Sequence, residues 1–284
     1  MNVADAMTPR EDLVTVELPG TREDVLAYLQ ERSFSSVPVV KQTDAGEEFR
    51  GLVSRESLID QPDEDQLAML VEEVPTIHAD ASIGELAALM RETGARRVPV
   101  VDGELEGVVT ITDVVRAIAD GLTDGETPVG DLRTLAVNTV YAETPLPVAE
   151  RELSYAQVPY AVVLDEEGEA CGMLTEVDII DVARVVEGEE ETGDSFADQD
   201  DEWMWEGIKA VGSRYTPTRN VEIPDDPVSE FMTEELVTVS AKRTTRETAQ
   251  LMISNGIEQS PLLEAGALAG VVVDMDLLEA LVDE

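Results

Sequence analysis

Apolar and polar positions along the chain repeat one pattern four times. The clearest copy opens with Val98-Pro99-Val100-Val101, turns at Asp102-Gly103 and returns through Leu105 to Val109. It closes with Thr110-Ile111-Thr112-Asp113 ahead of Val114, Val115 and Ile118. A short apolar run predicts a buried strand and Asp-Gly a tight hairpin. The three-to-four spacing that follows predicts a helix. The pattern returns at Pro38 to Ser57, Pro159 to Asp178 and Pro261 to Asp276, with anchor glycines at 51, 107, 172 and 270. A repeated unit of this size fixes the fold class before any single element is assigned.

Each unit also has a front half. The first opens Val3-Ala4-Asp5-Ala6-Met7-Thr8-Pro9 and the fourth Val228-Ser229-Glu230-Phe231-Met232-Thr233. A Val-Thr-Val stretch follows in both, then an amphipathic helix carried by Val25, Leu26 and Leu29, or by Ala249, Leu251 and Met252. In the second repeat that helix is carried by Leu86, Leu89 and Met90, and in the third Pro145 and Pro147 predict a poorer one. The boundaries fall at 1–60, 64–122, 127–187 and 228–284, giving modules 1–122 and 127–284. Residues 188–227 interrupt the repeat, acidic at first, then rich in aromatics and cations around Trp203 and Trp205. They read as a solvated loop followed by a strap over exposed core, or by a lid or docking element.

In these motifs the chain resembles the CBS-domain family in its four-motif, two-module form. The resemblance implies an α+β fold of four β-α-β-β-α repeats, paired 1 with 2 and 3 with 4 into two pseudo-symmetric modules. One such unit cannot cover both faces of its sheet alone.

Composition narrows the function. There are 19 lysines and arginines against 62 aspartates and glutamates, a net charge of −43, and lysine occurs only at 41, 209 and 242. Such a surface suits a halophilic cytoplasm, where about 1 M salt shortens electrostatic reach to ~3 Å. It disfavours nucleic acid and anionic membranes as partners. No apolar run approaches the ~20 residues of a membrane span, and the first twelve residues lack the apolar core of a signal peptide. Cys171 is alone and His78 is the only histidine, so no disulfide, metal cluster or catalytic constellation is expected. The methionines at 69, 90, 173, 252 and 275 occupy apolar positions expected in the core.

The candidate chemistry lies at the closing Thr-x-x-Asp. Thr110 and Asp113 form a helix cap on elementary grounds. The resemblance adds a nucleotide, with the hydroxyl near a phosphate and the carboxylate accepting from a ribose cis-diol. The third repeat keeps Thr175 and Asp178; the fourth keeps Asp276 but has Val273 for threonine; the first has Ser54 and Ser57. Arg96 and Arg97, just ahead of the Val98-Pro99 strand, suit phosphate, or else a surface ion pair. Thr76 corresponds to the family position lining the base. The expectation is a regulatory protein, not an enzyme, taking AMP, ADP or ATP chiefly at the second repeat and signalling to a homodimer mate or another protein partner. A ligand-free scaffold and a sensor of S-adenosylmethionine-type ligands are the alternatives.

Overall fold

In the computed structural model the described residues are 1–31, 36–44, 46–54, 57–58, 61, 64–182, 184–187 and 219–282. The Trp203 and Trp205 segment lies outside them. Residues 184–187 and 219–222, at the two ends of the 188–218 insertion, pair as an antiparallel ribbon.

The strands are β1 (Thr8–Pro9), β2 (Val16–Glu17), β3 (Ser36–Thr43), β4 (Gly46–Ser54), β5 (Arg97–Asp102), β6 (Glu104–Thr110), β7 (Thr139–Tyr141), β8 (Tyr160–Leu164), β9 (Ala170–Thr175), β10 (Arg184–Glu187), β11 (Arg219–Glu222), β12 (Gln259–Glu264) and β13 (Ala267–Val273). The helices are α1 (Arg22–Glu31), α2 (Leu67–Leu70), α3 (Ile83–Thr93), α4 (Ile111–Ala119), α5 (Leu146–Ala156), α6 (Glu176–Val182), α7 (Thr245–Asn255) and α8 (Asp274–Leu277). Each repeat therefore holds an antiparallel hairpin, β3–β4, β5–β6, β8–β9 or β12–β13, and in the last three a helix leaves its second strand.

The four anchor glycines have one physical cause. Each lies where the opening segment of another repeat crosses the returning strand. A Cβ on Gly107 would meet the Thr8 carbonyl oxygen at 2.6 Å and the Met7 sulfur at 2.8 Å. Gly51 faces Val71 and Glu72, Gly172 faces Met232, and Gly270 faces Arg133 and Thr134. One residue past each glycine the crossing is fixed by pairing: Thr8 with Val108, Glu72 with Leu52, Thr233 with Met173 and Thr134 with Val271. Four to five residues upstream, each opening segment drives in one fully buried apolar side chain: Val3, Leu67, Val228 or Val129. In the three hairpins β3–β4, β5–β6 and β8–β9 a bulge immediately precedes the glycine, bending the strand toward its visitor.

The chain divides into two compact units. The first contains residues 1–135, 237–264 and 269–284; the second contains 136–236 and 265–268. Within the first unit the helices of the second and fourth repeats bury a common core. Leu86, Met90, Val114 and Ile118 join Met252, Leu277, Leu278 and Leu281, all at most 1% exposed. A large apolar side chain removed from water contributes about 1.5–3 kcal/mol, so this cluster is a principal source of stability. Helix α4 lies against α7, and α3 against the turn Leu278–Leu281. A smaller cluster around Val16, Val25, Val37, Val53, Leu67 and Leu70 serves the first repeat. The second unit has its own core around Leu146, Leu153, Val163, Leu174 and Val228.

Three sequence expectations are corrected. Helix α5 has eleven residues like α3 and α7, because Pro145 precedes its first residue and Pro147 sits in the first turn, where no backbone donor is needed. The first strand of the second repeat shrinks to a single parallel bridge between Ile77 and Val100. Met69 is 61% exposed, since α2 is one short turn that commits Leu67 and Leu70 inward.

The glycine crossing yields a direct test. Gly107→Ala should lower the unfolding free energy by about 1–3 kcal/mol, the usual cost of an extra carbon in a filled space. The check is the denaturant midpoint in molar KCl, with the slope unchanged.

Candidate functional site

At the start of α4 the Thr-x-x-Asp motif closes on itself. The Thr110 hydroxyl donates to Asp113 Oδ2 at 2.7 Å and the Thr110 N–H donates to the same oxygen at 2.9 Å. The Asp113 N–H returns a bond to Thr110 Oγ1 at 3.3 Å. Arg116, one turn on, donates to Asp113 Oδ1 at 3.1 Å. The same reciprocal cap joins Ser82 and Glu85 at α3, where no ligand is expected. The capping role is thus realised in full, and any ligand must share a carboxylate whose two oxygens are already engaged.

The equivalent positions differ in what they leave open. In the third repeat, Thr175 donates through its hydroxyl and its N–H to Asp178 Oδ2, at 2.7 and 2.8 Å. No side chain occupies the Arg116 role there among the described residues. In the fourth, only the Val273 N–H reaches Asp276 Oδ2, at 2.9 Å. In the first, Ser54 and Ser57 bond each other and supply no carboxylate.

The two arginines separate. Arg97 begins β5, exposed, directly opposite Thr110 in the hairpin register, and has no ion-pair partner among the described residues. Arg96 turns instead to the fourth repeat. Its Nη1 and Nη2 form a fork with the two oxygens of Asp274, at 3.1 and 2.6 Å, and Nη2 also lies 2.9 Å from Glu258. Asp274, at 6% side-chain exposure, is a buried carboxylate. Burial alone lowers the Arg96 pKa, but the hydrogen bond and charge of Asp274 outweigh it and hold the guanidinium above its ordinary value. Of the two roles open to Arg96 from sequence, the structure shows the ion pair. The signal for it in the sequence is Asp274, an acid where the second repeat has the buried Ile111. Thr76 is exposed beside Ile77, whose carbonyl accepts from Val101 N–H at 2.9 Å. Thr76, Arg97, Thr110 and Asp113 therefore belong to the second-repeat hairpin and its flanks; Arg96 is taken elsewhere. His78 is exposed in a connection, as expected.

A cavity of about 260 Å³ opens between α4 and α7. Thr112, Val115 and Arg116 line it from one side, and Met252, Ile253, Ile257, Glu258 and Asp274 from the other. Among the described residues no group of three or more His, Cys, Asp or Glu side chains is arranged to hold a metal. No helix there is long and apolar enough to cross a membrane.

Repeats that exchange their opening segments, the second and third closing on a capped Thr-x-x-Asp helix, define a class of regulatory module. The chain belongs to the CBS domain family, whose model matches residues 3–64, 68–120, 129–184 and 228–283. Proteins of this family are generally regulatory and not catalytic. An uncharacterized protein of Methanocaldococcus jannaschii is 24% identical over 99% of this chain, which spans 62% of that relative's length. An uncharacterized conserved protein from Pyrococcus horikoshii has a similar structure, with TM-score 0.69, 25% identity and coverage of 99% and 100% of the two chains. A second Methanocaldococcus jannaschii structure, proposed as an archaeal homolog of g-AMPK, has TM-score 0.66 at 18% identity, covering 99% of each chain, and shares the fold.

Asp276 gives this region a pH signature. Burial pushes its carboxyl from 3.8 up to about 6; the Val273 N–H opposes the shift, and Glu279 and Asp274 add to it. The folded chain thus holds this proton more tightly than the unfolded one. The resulting stability is fully present below about 3.8, is lost as pH rises through about 6, and is absent at 7. Asp276→Asn keeps an acceptor for Val273. It should stabilise the protein at pH 7 but not at pH 4, as read from urea midpoints of both proteins across that range. A difference independent of pH would refute the assignment.

Proposed function

We propose that the chain is a sensor of adenosine-containing ligands, with its principal site at the start of α4. Family membership supports this reading, since proteins of this kind are regulatory and bind adenosine ligands such as AMP or ATP. The observation that carries it to this site is the grouping of Thr110 and Asp113 with Arg97, which lies opposite Thr110 and makes no ion pair among the described residues, although the charge of Glu258 reaches it. A ribose diol would share Asp113 with Arg116, and a phosphate would take Arg97. Thr76 would border the base. Thr175 and Asp178 form a second, weaker site without an arginine, and Asp276 a third suited only to an uncharged or cationic adenosine compound.

Occupancy would favour one arrangement of the repeats, which a homodimer mate or another protein partner would read. A ligand at 100 times its Kd adds about 2.7 kcal/mol to the form that binds it, enough to bias a two-state element.

Isothermal titration in molar KCl with adenosine, AMP, ADP, ATP and S-adenosylmethionine tests the proposal. Asp113→Asn, which preserves the cap acceptor, should weaken the bound compound by about 1.5–3 kcal/mol, the range for hydrogen bonds to a charged group. That is roughly ten- to 150-fold in Kd. Unchanged affinity would overturn the site, and no heat with any of the five would favour a ligand-free scaffold.

A further inference from the structure

We infer that Asp274 and Glu258 determine the phosphate preference of the second-repeat site, by occupying on Arg96 the places that ligand phosphate oxygens would take. This inference rests on the adenosine reading above and specifies which adenosine compounds the site prefers.

Four observations carry it. First, Arg96 sits at the site's edge: its carbonyl accepts the N–H of Ile111, the first residue of α4, at 2.9 Å. Second, its guanidinium meets Asp274 through two parallel N–H bonds. That fork matches the two oxygens of a carboxylate or of a phosphate equally well. Third, Asp274 occupies a position whose counterpart is the buried Ile111, 3% exposed, in the second repeat. A buried carboxylate is costly unless paired, and an apolar residue there would fill the space without that cost. Fourth, Glu258 and Asp274 form one wall of the 260 Å³ cavity whose other wall includes Thr112 and Arg116, the neighbours of Asp113 on α4. The cavity thus reaches Arg116, the side chain bonded to Asp113, and its facing wall carries two carboxylates.

The cation count then decides selectivity. Arg116 is bound to Asp113, Arg96 is bound to Asp274 and Glu258, and Arg97 alone is left for an incoming anion among the three. One guanidinium suits a single phosphate. A di- or triphosphate would extend toward Glu258 and Asp274 with no free cation to meet it. The second-repeat site accordingly prefers adenosine or AMP to ADP and ATP, and the preference is written in the fourth repeat.

The test is a matrix of dissociation constants for adenosine, AMP, ADP and ATP with wild type, Asp274→Asn and Glu258→Gln in molar KCl. Glu258 is an exposed side chain, so its variant folds even if Asp274→Asn weakens the shared core. The wild type should bind AMP at least as tightly as ATP. Each variant should improve ATP relative to adenosine by about tenfold, the gain from freeing a charge-assisted phosphate contact, with adenosine affinity unchanged. An ATP-to-adenosine ratio equal to wild type in both variants, with adenosine still bound, would overturn this inference and leave the adenosine site standing. Wild-type preference for ATP over AMP would overturn it as well. Failure of all four compounds with all three proteins would remove the adenosine reading, and this inference with it.

Discussion

The fold depends on an exchange of backbone. Each repeat gives its opening segment to another repeat, and the crossing is possible only because the strand beneath carries no side chain at Gly51, Gly107, Gly172 or Gly270. The exchange is reciprocal: the first repeat's Thr8 pairs beside Gly107, and the second repeat's Glu72 pairs beside Gly51. Thr134 and Thr233 do the same for the third and fourth. Each donated segment also plugs the receiving core with one buried residue, so neither repeat of such a pair completes its core alone. That dependence explains why the pattern comes in an even number of copies, and why the plug residues stay apolar while the segments around them vary.

A common skeleton leaves the ends of the helices free to diverge. The second repeat keeps hydroxyl, carboxylate and arginines. The third keeps hydroxyl and carboxylate but replaces the arginines with Ala156 and Gln157. The fourth keeps the carboxylate and adds Asp274. Asp274 is the most consequential of these changes, because it places a buried charge between the second and fourth repeats, beside the apolar core that Leu86, Met252 and Leu277 share. An apolar contact tolerates small slips; a two-bond guanidinium fork does not. The pair therefore fixes how the ends of α4 and α8 face one another.

Much of this was legible in the amino-acid sequence, because periodicity and turn chemistry act locally. The hairpins, the capped helices and the four anchor glycines all follow from spacing alone. What the glycines are for did not, since the partner that touches Gly107 lies about a hundred residues away at Thr8. Arg96 shows the same limit: its neighbours in sequence suggest phosphate, while its actual partner is 178 residues downstream. Pro145 and Pro147 misled in the opposite direction, since proline harms a helix only past its first turn. The helix cap at Thr110 was equally visible from sequence, and the structure adds that Arg116 completes it.

The charge balance places a last constraint on the site. With 19 cations against 62 acids, a guanidinium near any functional group is contested by carboxylates on several sides. Arg10 is taken by Glu47, Arg91 by Glu279 and Arg246 by Glu126. A protein of this composition cannot gain selectivity by gathering positive charge, because each added cation is neutralised from within. It can gain selectivity by choosing which arginine remains unpaired, and at the start of α4 that arginine is Arg97. On the proposed reading, recognition would then rest on directed hydrogen bonds to the neutral part of a ligand, through Asp113 and the backbone beside Ile77. At molar salt such short-range bonds keep their strength, while long-range attraction is screened within a few ångströms.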